Sequence, residues 1–160
     1  MHLEGSCHCG VVRFRLESSE PWPYQRCYCS ICRKTGGSDC MINLGGDMTT
    51  FHVEGLEHVR IYRAMLERDG KPVRSRHQRH FCSLCGSHLW AWHPAWPDLV
   101  HPVASAIDTP LSVPPAQVHM MLASKAPWVQ PPIAPADESH DEYPTQSLAA
   151  WHEAHGYVDE

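Results

Sequence analysis

Eight cysteines in 160 residues, seven of them gathered into three tight clusters, limit what this chain can fold into more than any other feature. They stand as C-x-C at Cys7 and Cys9, C-x-C-x-x-C at Cys27, Cys29 and Cys32, and C-x-x-C at Cys82 and Cys85, with Cys40 alone. Disulfide partners scattered by chance do not cluster in this way. The start, Met1-His2-Leu3-Glu4-Gly5-Ser6-Cys7, lacks a basic stretch followed by the apolar run of a secretory signal. The expectation is a cytoplasmic, reducing setting, in which clustered thiolates serve a metal rather than disulfides.

Zinc takes four ligands in a closed site, with sulfur at about 2.3 Å. Seven cysteines divide into four and three. The economical partition joins Cys7 and Cys9 to Cys82 and Cys85 in a closed structural site, which ties the N-terminus to the middle of the chain and stabilises a small β domain. Cys27, Cys29 and Cys32 then hold a second ion with one position open. Cys40, His8, His80 or water are the alternatives for that position. Zinc with three thiolates carries net negative charge, so it is a poorer Lewis acid than zinc with three neutral imidazoles and prefers a fourth sulfur to an activated water. An incoming thiol would be bound as thiolate, and Arg26, Arg33 and Lys34, which flank the cluster, would offset the charge.

The remainder is patterned for strands around one core. Residues 11–16 place Val12, Phe14 and Leu16 on one face, and short alternating runs follow at 49–54, 58–63 with Val59 and Ile61 inward, 73–81, 89–93 and 117–123. Asp69-Gly70-Lys71-Pro72 reads as a hairpin turn, and 14 prolines exclude long helices from the second half. With 42% hydrophobic and 19% charged residues the chain is too apolar for disorder, and no apolar run approaches the roughly 20 residues that span a bilayer. Trp90, Trp92, Trp96 and Trp128 are expected in the core or lining a pocket, with His88 and His93 as wall or surface. The net charge of −5 hides a division: all 13 Lys and Arg lie at or before Lys125, and the tail supplies the acidity. Seven of the basic residues lie from Arg60 to Arg79, a run read as the solvated side of a hairpin; a nucleic-acid partner is not expected at a sequence pI near 6.2. Residues 133–160 form an acidic, proline-containing tail in which Thr145 caps a short helix over 146–155, closed by Gly156.

Three stretches carry a resemblance to a known family. Gly5-Ser6-Cys7-His8-Cys9-Gly10-Val11-Val12-Arg13-Phe14, Cys27-Tyr28-Cys29-Ser30-Ile31-Cys32-Arg33-Lys34 followed by Gly36-Gly37, and Phe81-Cys82-Ser83-Leu84-Cys85-Gly86 resemble the glutathione-dependent formaldehyde-activating enzymes, a family that also contains centromere protein V. The run Val118-His119-Met120-Met121-Leu122-Ala123-Ser124-Lys125-Ala126-Pro127-Trp128 looks like the closing strand of that family, and the match extends over residues 2–132. The resemblance implies a mainly β fold, a β-tent of antiparallel sheets with two zinc ions, over a domain of residues 1–132, to which the tail adds its short helix. It implies structural ligands Cys7, Cys9, Cys82 and Cys85, catalytic ligands Cys27, Cys29 and Cys32, and carbon–sulfur lyase chemistry on adducts of a small thiol such as glutathione with an aldehyde such as formaldehyde. Arg33 and Lys34 are expected to hold the charge of the bound thiol. The alternative is a non-catalytic, zinc-stabilised module that binds protein or nucleic acid. No membrane partner is expected.

Overall fold

Alternation of apolar and polar side chains builds the first sheet. In the computed structural model of the chain, which describes residues 1–157, β1 (His2–Ser6) and β2 (Arg13–Glu17) pair antiparallel with Leu3 opposite Leu16 and Gly5 opposite Phe14. Leu3, Phe14 and Leu16 are buried while Glu4, Arg13 and Arg15 face solvent, the period of two of a half-buried strand. Gly5 is required by space: a Cβ there would collide with the Phe14 ring and the Ala106 carbonyl. Strand β3 (Tyr24–Cys27) leads into helix α1 (Ser30–Gly36), β4 (Met41–Asn43) and β5 (Gly46–Asp47), and β6 (His52–Glu54) adds to the free edge of β2.

The next strands are β7 (Val59–Tyr62), β8 (Met65–Arg68), β9 (Lys71–Arg74), β10 (Gln78–Cys82), β11 (His88–Trp92) and β12 (Leu99–Pro102). Four of these strands join β5 in an antiparallel sheet in the order β5, β12, β11, β10, β7. Hairpin β8–β9 turns at Asp69 (φ 51°) and Gly70 (φ 71°), both left-handed as a two-residue hairpin turn demands. The last sheet orders β14 (Glu138–Ser139), β13 (Gln117–Met120), β3 and β4, and here β13 runs parallel to both neighbours. The fold is therefore mainly β with largely antiparallel sheets; among the described residues the α-helices are α1 and α2 (Leu148–Ala154). No helix there is long and apolar enough to cross a membrane.

Two of the three packing centres organise the layers around the cysteines. Leu3, Leu16, Leu44, Leu89, Trp90 and Val100 fill the larger one. The smaller gathers Cys27, Cys29, Cys32, Met41, Val118 and Met120, and Trp151 of α2 completes it. The C-terminal segment therefore packs back onto the body: Met121 N–H donates to Glu142 O, Ala123 N–H to Asp141 O, and β14 extends the sheet.

Several local expectations are corrected. The run 73–81 breaks at Ser75, where its N–H turns to Ala64 O, so it becomes β9 and β10. In the run 49–54 a 3-10 turn, Met48–Thr50, is capped by Asp47 Oδ1 on Thr49 N–H, which leaves only His52–Glu54 as strand. Ile61 is exposed on the sheet edge instead of inward, and Trp128 is exposed instead of lining a pocket. Helix α2 is capped by Ser147, whose Oγ accepts from Ala150 N–H, and not by Thr145.

Candidate functional site

Two turns with matching hydrogen bonds form the first cysteine group. Gly10 N–H donates to Cys7 O (2.9 Å), Cys7 N–H to Val12 O (3.0 Å), and Val12 N–H points at Cys7 Sγ (3.3 Å). In the second turn Gly86 N–H donates to Cys82 O and Cys82 N–H to Ser87 O, each at 2.9 Å. Gly10 and Gly86 both sit at φ 76°, which is why glycine follows each cysteine pair. Ser87 Oγ joins the turns, accepting from His8 N–H at 3.1 Å and lying 3.2 Å from Cys85 Sγ. The sulfurs of Cys7, Cys9, Cys82 and Cys85 all lie within 4.8 Å of one another, with Cys7–Cys9 at 3.5 Å and Cys9–Cys82 at 3.8 Å. These spacings exclude disulfides and match the edge of about 3.8 Å for four sulfurs at about 2.3 Å from one zinc. The donor set fits a closed four-thiolate metal site.

The second group lies in the smaller packing centre. Cys27 ends β3, Cys29 caps α1, and Cys32 sits one turn in, where its N–H donates to Cys29 Sγ at 3.3 Å. All three are buried and their sulfurs lie within 4.8 Å of one another, a set that can hold a metal with a position left over. Among the described residues no fourth ligand joins them. Cys40 lies instead against Tyr28, Ala126 and Val129, with Arg26 Nη1 at 3.7 Å, His8 is exposed beside the first group, and His80 stacks on Trp90. In the protein alone the three thiols share their protons. Hydrogen bonds with Cys27 and Cys32 hold Cys29 far below the ordinary thiol range, and the Cys29 and Cys32 hydrogen bonds, with burial, push Cys27 far above it. Metal binding would release those protons.

Cys27 and Cys32 line a cleft of about 320 Å³. The five-stranded sheet contributes Arg79 and His101, the residue just before β10 contributes His77, and the C-terminal segment contributes residues 143–148. Arg79 is only 4% exposed, its Nη2 lies 3.8 Å from Cys32 Sγ, and its Nη1 is buried with no partner. No Asp or Glu among the described residues lines the cleft. Burial, with the Arg79 charge next, pushes His77 down to about 3, and burial also lowers His101, so both rings are neutral near pH 7. Tyr143 exposes much of its ring, yet burial of its hydroxyl and the nearby charge on Cys27, Cys29 and Cys32 push it up to about 12.

The flanking cations are placed differently. Arg33 and Lys34 sit in the last turn of α1, Lys34 exposed and Arg33 half-buried, and neither lines the cleft. In the basic run, Arg60, Arg68, Lys71, Arg74 and Arg76 are exposed, Arg63 is half-buried and Arg79 is buried. Sequence reasoning missed it because the polar face of β10 points into a cleft, and a polar period of two reads the same toward solvent. It also missed the support behind Cys27 and Cys29. Tyr28 is fully buried, its hydroxyl lies 2.9 Å from His119 Nδ1, and His119 Nε2 lies 3.1 Å from Asp137 Oδ2.

Three comparisons bear on these features. A crystal structure of a Rhodobacter sphaeroides protein superposes with a TM-score of 0.50 at 22% identity, covering 70% of this chain and 91% of that one, which speaks to the fold alone. A Halomonas elongata protein named "Putative glutathione-dependent formaldehyde-activating enzyme" is 54% identical over 153 residues, 95% of each chain. The family model described as "Glutathione-dependent formaldehyde-activating enzyme" matches residues 2–123, which include all seven clustered cysteines, and the chain belongs to that family.

Proposed function

We propose that this chain is a zinc-dependent carbon–sulfur lyase acting on adducts of a small thiol, glutathione or one like it, with an aldehyde such as formaldehyde. Cys27, Cys29 and Cys32 hold the catalytic zinc, and Cys7, Cys9, Cys82 and Cys85 the structural one. The observation that carries this reading is a buried three-cysteine group opening into a cleft that also contains a buried guanidinium. The names of the family and of the Halomonas elongata relative support the substrate pair.

Zinc held by three thiolates supplies a soft centre that accepts a thiol as thiolate in preference to activating water. The rest is the work of the chain. Arg79 places positive charge beside Cys32 and offsets the anionic sulfurs in a cleft where burial strengthens that attraction. Arg33 and Lys34 add positive potential from the end of α1. Met41, Met120 and Leu99 give the cleft apolar walls that limit water around the reacting sulfur. Tyr143 keeps its proton at neutral pH and stands ready as a hydrogen-bond donor at the mouth.

The test is a panel of thiols, including glutathione, cysteine and coenzyme A, each mixed with formaldehyde or a larger aldehyde and followed by exchange NMR with protein carrying both metals. Faster exchange for at least one pair is expected, with ester and amide hydrolysis absent. Failure with every pair would overturn the enzymatic reading and leave the zinc-stabilised binding module.

A further inference from the structure

The unpaired face of Arg79 points to a specific ligand atom. A buried charged donor without an acceptor is unfavourable, and Nη1 is such a donor in a side chain 4% exposed. Nη2 on the same carbon is already turned to Cys32 Sγ at 3.8 Å, so the planar guanidinium holds Nη1 beside the sulfur cluster with little freedom. Both side chains line the same cleft, and no carboxylate among the described residues lines it to take the free nitrogen. His101 Nδ1 donates to Leu44 O at 3.1 Å and the His77 ring is neutral, so neither supplies a competing anion or cation. Among the described residues the cleft therefore presents one fixed cation, and that cation lies beside the three-cysteine group, where a fourth sulfur would enter.

We propose that Arg79 is a catalytic residue whose Nη1 donates to the oxygen on the carbon joined to the substrate sulfur. This rests on the thiol–aldehyde reading above and extends it to the reacting oxygen. When the thiolate sulfur attacks the aldehyde carbon, a sulfur lone pair forms the C–S bond, the carbonyl π pair moves to oxygen, and Nη1 meets the alkoxide. The proton given up by the thiol on binding passes to solvent, and water returns one to the alkoxide. In reverse, the hydroxyl loses its proton, the carbonyl re-forms and the C–S pair returns to sulfur. An oxygen one atom removed from the sulfur suits Nη1 better than a carboxylate several bonds away, because Nη1 is tied through one carbon to a nitrogen already against the cluster.

Thioacetate, whose sulfur and anionic oxygen share a carbon, mimics that arrangement without turnover; ethanethiol lacks the oxygen. Calorimetric titration of both into metal-loaded wild type, Arg79→Gln and Arg79→Lys, with metal content and melting temperature checked for each, measures the contact. Arg79→Gln is expected to weaken thioacetate about tenfold or more and ethanethiol less than about threefold, with Arg79→Lys between. Exchange turnover at saturating thiol should fall about 100-fold or more in Arg79→Gln. Equal weakening of the two ligands in both variants would mean that Arg79 only balances thiolate charge, and the proposal would be wrong; Arg79→Lys alone decides the point if Arg79→Gln loses metal. If wild type accelerates exchange but Arg79 makes no distinction between the ligands, this inference falls and the lyase reading stands. If no pair exchanges faster and thioacetate does not bind, both fall together.

Discussion

Replacing Trp151 by alanine should release the outer wall of the cleft while leaving the body folded. Trp151 is 3% exposed in the smaller packing centre, stacked on His155 at 3.8 Å, and its Nε1 donates to Glu138 Oε1 at 2.9 Å. Burying a ring of this size removes roughly 200 Å² from water, worth about 5 kcal/mol at about 25 cal/mol/Å², and measured Trp→Ala losses in cores run about 3–5 kcal/mol. Helix α2 is seven residues long and does not hold together without tertiary contacts. The anchors left, such as His152 Nε2 with Trp22 O at 2.6 Å, are weaker than what is lost. The segment after β14 should therefore detach locally rather than take the whole molecule with it.

Limited proteolysis and thiol titration read this directly. In Trp151→Ala the residues 142–157 should become cleavable, both metals should stay, and the thiol KM should rise about tenfold because residues 143–148 no longer close the cleft. Trp151→Phe keeps one aromatic ring but loses the second ring and the indole donor, so it should fall between. A variant that stays protected from protease with unchanged KM would refute the argument that this ring holds the wall and that the wall meets the ligand.

Other expectations follow from the same contacts. Protein purified without added zinc should carry close to two metals; Cys82→Ser should lower thermal stability more than Cys29→Ser, which should lose one metal, and equal losses would refute the division into clamp and open site. Asp137→Asn should lower stability by about 1–3 kcal/mol in urea unfolding, since the carboxylate accepts from Gln117 N–H (2.8 Å) and Ala134 N–H (2.9 Å) and meets His119; a loss under about 0.5 kcal/mol would contradict this. Stability should fall as pH drops below about 6.5, because the unfolded chain then binds protons at His77 and His88 while burial keeps the folded rings neutral down to about 3 and about 4. His88→Gln should flatten that slope between about pH 6 and 4.5, and an unchanged slope would count against it.

The cysteine grouping was legible because ligation needs a fixed residue type at short spacing, and both turns of the four-cysteine group carry their own glycine. The buried face of the run 11–16 was legible for a similar reason, since Val12, Phe14 and Leu16 are all buried and the residues between are not, although the strand itself runs Arg13–Glu17. Strands β3 and β4 and helix α1 were not foreseen. Their residues carry no clean period, because β3 is a four-residue strand whose buried residues are its two ends and α1 is about two turns built around the Cys29 cap. Arg79 was hidden by the ambiguity of polar alternation. The contribution of the tail was hidden by its composition: proline and acidic residues suggest a surface connection, and only the tertiary contacts of Trp151 and Asp137 turn it into a wall and a support.

Strand β10 links the two cysteine groups physically. It ends in Cys82, a member of the four-sulfur group, and three residues earlier carries Arg79, which touches Cys32 of the three-sulfur group. The shift in register with β11 at His80 and Phe81 puts its extra residue on β11, while β10 stays in step with β7 from Arg79 to Cys82, so Arg79 and Cys82, an odd number of residues apart, are buried on opposite faces of one regular strand. Closing the four-sulfur site fixes the end of this strand, and through it the depth at which the guanidinium enters the cleft. A metal bound by the four-sulfur group would then be coupled to the cleft through three residues of backbone, since strand register moves side chains in whole steps and tolerates no intermediate position.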